Sequence, residues 1–116
     1  LWTGDLNIAP TALDVHNPER QTNHVCYHKD AREAFKDTVS WGFTDIFRLY
    51  HPEPQQYSFY DYRTRNAVEN KIGWRVDHML ATRSLAKHAT DCYIDVKPRT
   101  WPKPSDHTFV VAEFDL

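Results

Sequence analysis

Three stretches between Trp74 and Phe114 read as β-strand, which commits a chain of this length to a sheet-based fold. Trp74–Thr82 is a long run that follows Gly73 and gives way to polar residues. Further on, Cys92, Ile94 and Val96 alternate with Tyr93, Asp95 and Lys97, the period-two pattern of a half-buried strand. Phe109–Phe114 is more continuously apolar, as expected of a strand covered on both faces. Upstream, residues 2–5 read as the end of another strand, and Asp45–Leu49 and the aromatic-rich Tyr57–Tyr62 as two more, with Pro52 and Pro54 stopping the former. Helical signal is sparse. Asp30 precedes Glu33 in a capping-box-like spacing, Ala31, Ala34, Phe35, Thr38 and Val39 recur on one helical face, and Gly42 is placed to end that helix in the left-handed conformation. Ser84–Lys87 suits a single helical turn. The expectation is an α/β (α+β) domain over residues 1–116, with one mixed, mostly antiparallel sheet and few helices.

At 116 residues the chain holds one domain and can bury a core without metal or disulfide staples. No apolar run approaches the roughly 18 residues that a bilayer span needs, so no membrane association is expected. Cys26 and Cys92 are far apart and fit no zinc spacing; a disulfide is disfavoured and a reducing compartment, the cytoplasm, is expected. The net charge of −2 makes no global case for a polyanionic partner, but it is uneven: residues 63–103 hold 9 basic and 4 acidic side chains. Arg63, Arg65, Lys71, Arg75, Lys97, Arg99 and Lys103 either face phosphates or form a solvated loop surface. The first residue is Leu1 rather than Met, which reads as a processed, truncated or excised chain.

Chemistry concentrates in three polar clusters at predicted strand ends. Gly4-Asp5-Leu6-Asn7 follows an apolar strand, so Asp5 can orient and deprotonate a water while the Asn7 amide donates to a phosphoryl oxygen; the same residues also suit an ordinary turn. Asp77 and His78 are adjacent in a strand and point to opposite faces. Asp77 is the better candidate, since a strand carboxylate needs a partner such as an imidazolium, although a salt bridge with Arg75 or Arg83 would serve as well; His78 reads as a surface residue. Ser105-Asp106-His107 brings acid and imidazole to a strand start, where His107 can donate to a pentacoordinate phosphorus, Asp77 can hold it charged, and Asp106 can bind Mg²⁺. Taken alone, the triplet also reads as a loop with a surface histidine. Among the aromatics, most of which suit a core, Phe59 and Trp74 beside Arg63, Arg65 and Arg75 are the preferred pair for stacking on a base or filling the gap left by a missing one. His16, His24, His28, His51 and His88 show no metal-ligand spacing and read as surface or locally hydrogen-bonded residues.

In order and spacing, the stretches WTGDLNIAPT, SWGFTDIFR, YSFYDYR, GWRVDHMLAT and KPSDHTFVVAEF resemble the carboxyl-terminal half of the exonuclease III family of class II apurinic/apyrimidinic endonucleases, within the endonuclease/exonuclease/phosphatase superfamily. The resemblance implies one half of a DNase I-like four-layer α/β sandwich. It implies that Asp5 activates the attacking water, Asn7 donates to the scissile phosphate, Asp77 and His107 pair at that phosphate, and Asp106 is metal-associated. Phe59, Trp74 and Val76 match positions of the family's abasic-site pocket and wedge, with Arg63 and Arg75 beside them on the DNA-binding surface. The implied cofactor is Mg²⁺ or Mn²⁺, and the implied partner is double-stranded DNA, above all at abasic sites.

The family's amino-terminal half supplies the main metal-binding Glu, an Asn/Asp pair and a phosphate-contacting Tyr, and none of it is present in this sequence. An apolar sheet face meant for that half is therefore expected to seek a second copy or another packing partner, with little or no turnover from this chain alone. Two rival readings remain: a superfamily phosphodiesterase or phosphatase acting on a small phosphorylated substrate, and a non-catalytic half-domain that binds DNA or a partner chain.

Overall fold

A computed structural model describes residues 1–116. The strands divide between two antiparallel sheets instead of forming the single sheet expected. In the first, β3 (Asp77–Thr82) lies between β1 (Trp2–Asp5) and β2 (Phe43–Asp45); the second is a hairpin of β4 (Ala89–Asp95) and β5 (Phe109–Phe114). On β3 the pleat sorts the side chains: His78 meets Phe35 of α1 (Lys29–Gly42), while Met79 and Ala81 join the cluster of Phe47, Cys92 and Ile94 that ties the two sheets together. β4 keeps the predicted alternation, with Cys92 and Ile94 buried and Tyr93 exposed. β5 departs from expectation: Phe109 is 60% exposed and Glu113 is exposed, because only one face of the hairpin packs against the core. No helix is long and apolar enough to cross a membrane, and both cysteines are free thiols.

Two predicted strands take other forms. After β2, residues Ile46–Tyr50 form helix α2, because the Asp45 carboxylate caps it by accepting from the Arg48 amide, and the cap outweighs the strand preference of Ile46 and Phe47. The Tyr57–Tyr62 segment is extended but makes only isolated antiparallel bridges, Phe59 with Trp74 and Phe59 with His107. That threading stitches two remote parts of the sequence together. Buried Ser58 extends the stitch: its hydroxyl accepts from the amides of Val76 and Asp77, and its carbonyl accepts from Thr108. The approach is close enough that a Cβ at Gly73 would lie 2.8 Å from the Phe59 carbonyl oxygen. Helix α1 begins at Lys29 with His28 as its cap, not at Asp30, and Gly42 closes it at a positive φ of 157°, which glycine adopts more readily than other residues.

Beneath β3 lies an ion network that draws in the loop after β1. Asp14, fully buried, ends a 3-10 turn (Ala12–Asp14) that Thr11 caps reciprocally. Its carboxylate accepts from Arg75 Nε at 2.6 Å and from Arg48 Nη2, and Arg75 reaches on to Asp45 at 2.7 and 3.2 Å. Arg75 is 1% exposed and lies over the Phe47 ring. Burial alone would raise the Asp14 carboxyl, but Arg75 and Arg48 outweigh it and hold it below the usual range. His78 goes the other way: burial, then the charge of Arg75, pushes its imidazole down, so the ring is neutral.

Removing one member of such a network strands the others as buried charges. Asp14→Ala is expected to cost about 3–5 kcal/mol, read as a lower denaturant midpoint at unchanged slope. Gly73→Ala, which must push apart Phe59 and Tyr57, should cost about 1–3 kcal/mol in the same measurement.

Candidate active site

The register of one ladder builds the core of the site. Asp5 closes β1 directly opposite Asp77, the first residue of β3, and residues opposed in this way project on the same face of the sheet. Asp5 Oδ1 accepts from the Asn7 amide at 2.9 Å, a two-residue turn that leaves Asn7 at φ 53°, a left-handed conformation which asparagine tolerates better than most residues. His107 arrives from the other end of the chain, placed by its bridge to Phe59 and by the hydrogen bond its backbone N–H donates to Ser105 Oγ. Its Nδ1 lies 2.8 Å from Asp77 Oδ2 and its Nε2 3.7 Å from Asp5 Oδ2. Ligand atoms of Asp5, Asp77 and His107 all fall within 4.8 Å of one another.

Two carboxylates facing each other across a ladder repel, and the imidazole between them relieves that repulsion when it is charged. Partial burial works against the charge, but the hydrogen bond and charge of Asp77, followed by the charges of Asp5 and Asp106, raise the His107 pKa above its ordinary value. The side chains of Asp5, Asp77 and His107 remain 37%, 19% and 33% exposed, so the cluster is open to a substrate. The two hard carboxylate oxygens also form a donor pair suited to Mg²⁺ or Mn²⁺ completed by water, with His107 beside them. Asp106 stands beside this set rather than within it: its carbonyl accepts from Tyr60, and its charge is felt by His107.

Next to the cluster opens a cavity of about 210 Å³, walled by Phe59, Trp74 and Val76, with Asn7 and His107 at the edge shared with the carboxylates. Trp74 is held between His24, at 4.3 Å, and His16, edge-on at 5.7 Å. Arg63 lines the same cavity, exposed and paired with Asp61 at 2.7 Å. Arg75 does not reach this surface. The sequence places it beside Trp74 as a DNA contact, but its guanidinium is committed to Asp14 and Asp45 below the sheet and is closed to phosphate. His78 is likewise buried rather than on the surface. Sequence reading overlooked His24 and Cys26, which also line the cavity; only their nearness in space to Trp74 reveals them. A larger cavity of about 570 Å³ lies against α1 and Arg48, and none of the clustered residues lines it.

Residues 1–107 match the Endonuclease/Exonuclease/phosphatase family, and the chain belongs to it. An exodeoxyribonuclease of Streptococcus pneumoniae is 33% identical over the whole chain, which covers 41% of that protein. Among solved structures, an AP endonuclease from Archaeoglobus fulgidus superposes at TM-score 0.97 with 51% identity, over 99% of this chain and 45% of that one. A 3′ phosphatase, NExo, from Neisseria, bound to a product DNA hairpin, gives TM-score 0.93 and 35% identity over 98% and 44%. The chain thus spans less than half the length of each, and its fold is a part of their DNase I-like sandwich.

The raised His107 pKa makes a direct prediction. An NMR titration should place its midpoint above the ordinary value of about 6.5, and Asp77→Asn should lower it. The stability contributed by the charged ring is then complete below about pH 6.5 and is lost as pH rises through the raised midpoint.

Proposed function

We propose that this chain carries the phosphate-cleaving edge and sugar pocket of a metal-dependent DNA-repair nuclease of the exodeoxyribonuclease III and AP endonuclease type. The observation that carries the reading is the continuity of two surfaces: the Asp5–Asp77–His107 cluster and the aromatic-walled cavity meet at Asn7 and His107. A phosphodiester lying over the cluster therefore has room alongside for a flipped-out sugar that lacks a base.

The assignments follow the hydrogen bonds. Asp5 has one oxygen engaged by the Asn7 amide and leaves Oδ2 to take a proton from water. His107, its Nδ1–H given to Asp77, presents Nε2–H to a phosphoryl oxygen as negative charge develops there. The Asn7 side-chain amide donates beside it. Asp5 and Asp77, with Asp106 nearby, are the residues that would hold a Mg²⁺ or Mn²⁺ ion, which when bound would supply positive charge to the phosphoryl oxygens. Phe59, Trp74 and Val76 exclude water from the sugar, and exposed Arg63 offers a phosphate contact.

Two carboxylates are few for such an ion, all four residues of β1 are exposed, and the relatives are more than twice as long. The proposal therefore includes slow turnover by the isolated chain, and a further segment or a second copy over β1. The two free thiols accord with a reducing compartment such as the cytoplasm. A second activity, removal of a 3′ phosphate from DNA, is supported by the Neisseria relative's description.

Fluorescence anisotropy should show the chain binding a duplex with an abasic analogue more tightly than the intact duplex, with Trp74→Ala abolishing the preference. Equal affinity for both duplexes would sink the abasic reading. Vigorous nicking by the purified chain in Mg²⁺ would overturn the expectation of slow turnover. Where cleavage is measurable, Asp5→Asn should lower it about 10²- to 10⁴-fold.

A further inference from the structure

The residue beside Asp77 in sequence reaches the turn after Asp5 from the opposite face of β3. His78 leaves β3 on the opposite face, 1% exposed, with its ring 4.9 Å from Phe35. Its Nε2 lies 2.7 Å from the carbonyl oxygen of Ile8, the residue after Asn7. Its Nδ1 lies 3.4 Å from Arg75 Nη1. A carbonyl can only accept and a guanidinium can only donate, so both contacts demand one tautomer: the proton on Nε2 and the lone pair on Nδ1.

We infer that His78 is a positioning residue for Asn7, holding the Ile8 carbonyl so that the turn after Asp5 presents the Asn7 amide to the phosphate. This rests on the phosphodiesterase reading given above. The turn needs such a hold. Asn7 is at positive φ, and the chain must stay in that conformation while its side chain faces solvent. On either side the backbone is tied by Leu6 N–H to the Val76 carbonyl at 3.0 Å and by Ala9 N–H to the Cys26 carbonyl at 2.8 Å. Between them Asn7 N–H holds Asp5 Oδ1 and His78 holds the Ile8 carbonyl, and His78 links the turn to Arg75 of the buried network. The pleat thus gives two consecutive residues to one site: Asp77 orients the imidazole of His107 above the sheet, and His78 orients the backbone of Asn7 below it.

A double-mutant cycle on the 116-residue chain separates this from mere core filling. The readout is affinity for a duplex carrying a tetrahydrofuran abasic analogue. His78→Leu should weaken binding about five- to tenfold, the effect of one lost hydrogen bond at the site. In an Asn7→Ala background the same change should alter affinity by less than about twofold, because the residue it acts through is gone. His78→Gln, whose amide can donate to the Ile8 carbonyl, should recover most of the loss. Equal loss in both backgrounds, or no loss in either, overturns the inference.

If His78→Leu does not fold, the wild-type chain decides by NMR. Long-range ¹H–¹⁵N correlations should show His78 protonated at Nε2 with a slowly exchanging proton, and an Nδ1–H tautomer would refute the hold on Ile8. If the wild-type chain does not distinguish the abasic duplex from an intact one, the DNA reading fails on its own account. The Asn7 backbone amide still reports: it should shift and become more mobile in His78→Leu, and an unchanged resonance overturns the positioning role.

Discussion

The guanidinium of Arg75, closed off from water, is the group on which the rest of the arrangement leans. Its two carboxylate partners come from distant segments, Asp14 from the long loop after β1 and Asp45 from the junction of β2 and α2. A charge so placed is costly unless every donor is met, so the three segments must arrive together or the chain carries an unpaired ion in its core. The site inherits that order. Trp74 and Val76 flank Arg75 and wall the cavity, and Asp77 begins the strand that faces Asp5. Fixing the guanidinium fixes the backbone on both sides of it.

Above the sheet the electrostatic logic is reversed. Asp5 and Asp77 are placed opposite each other in a ladder, an arrangement that destabilises a sheet unless a cation intervenes. When protonated, the His107 imidazole is that cation, and the two carboxylates favour that state by raising its pKa. Stability and chemistry therefore compete for the same carboxylates: whatever draws His107 away leaves a like-charge pair. In the proposed function, a phosphodiester with its metal would supply both the negative charge His107 seeks and the positive charge the carboxylates seek.

The residues that face solvent were the most legible. Asp5, Asn7, Asp77 and His107 stand at strand ends in polar clusters, where a carboxylate or imidazole has few structural reasons to be, and the structure gathers them around one point. Arg75 was misread for a physical reason: a basic residue beside an aromatic looks the same in sequence whether it meets phosphate or a carboxylate, and Asp14 lies 61 positions away. Ser58 and His78 gave no signal, because their partners are backbone groups that any residue carries. The strand expected at Asp45–Leu49 gave way to α2 because Asp45 serves two masters, the helix amides and Arg75. Strand propensity describes side chains on a pleated surface and cannot register a cap drawn into a distant ion pair.

The two sides of the sheet also differ in how they are held. Below it, the Arg75 network and His78 are buried and hydrogen-bonded; above it, Asp5 ends an edge strand whose residues are all exposed, and Asn7 follows in an exposed turn. An exposed edge has little packing of its own to hold a catalytic turn in a left-handed conformation. The precision must come from beneath, through contacts such as His78 with Ile8 and Ser58 with the Val76 and Asp77 amides. That division explains how one part of a larger sandwich can keep its reacting groups in register while the face above them stays open. The geometry is set by the buried side, and the open side keeps the carboxylates and the imidazole accessible.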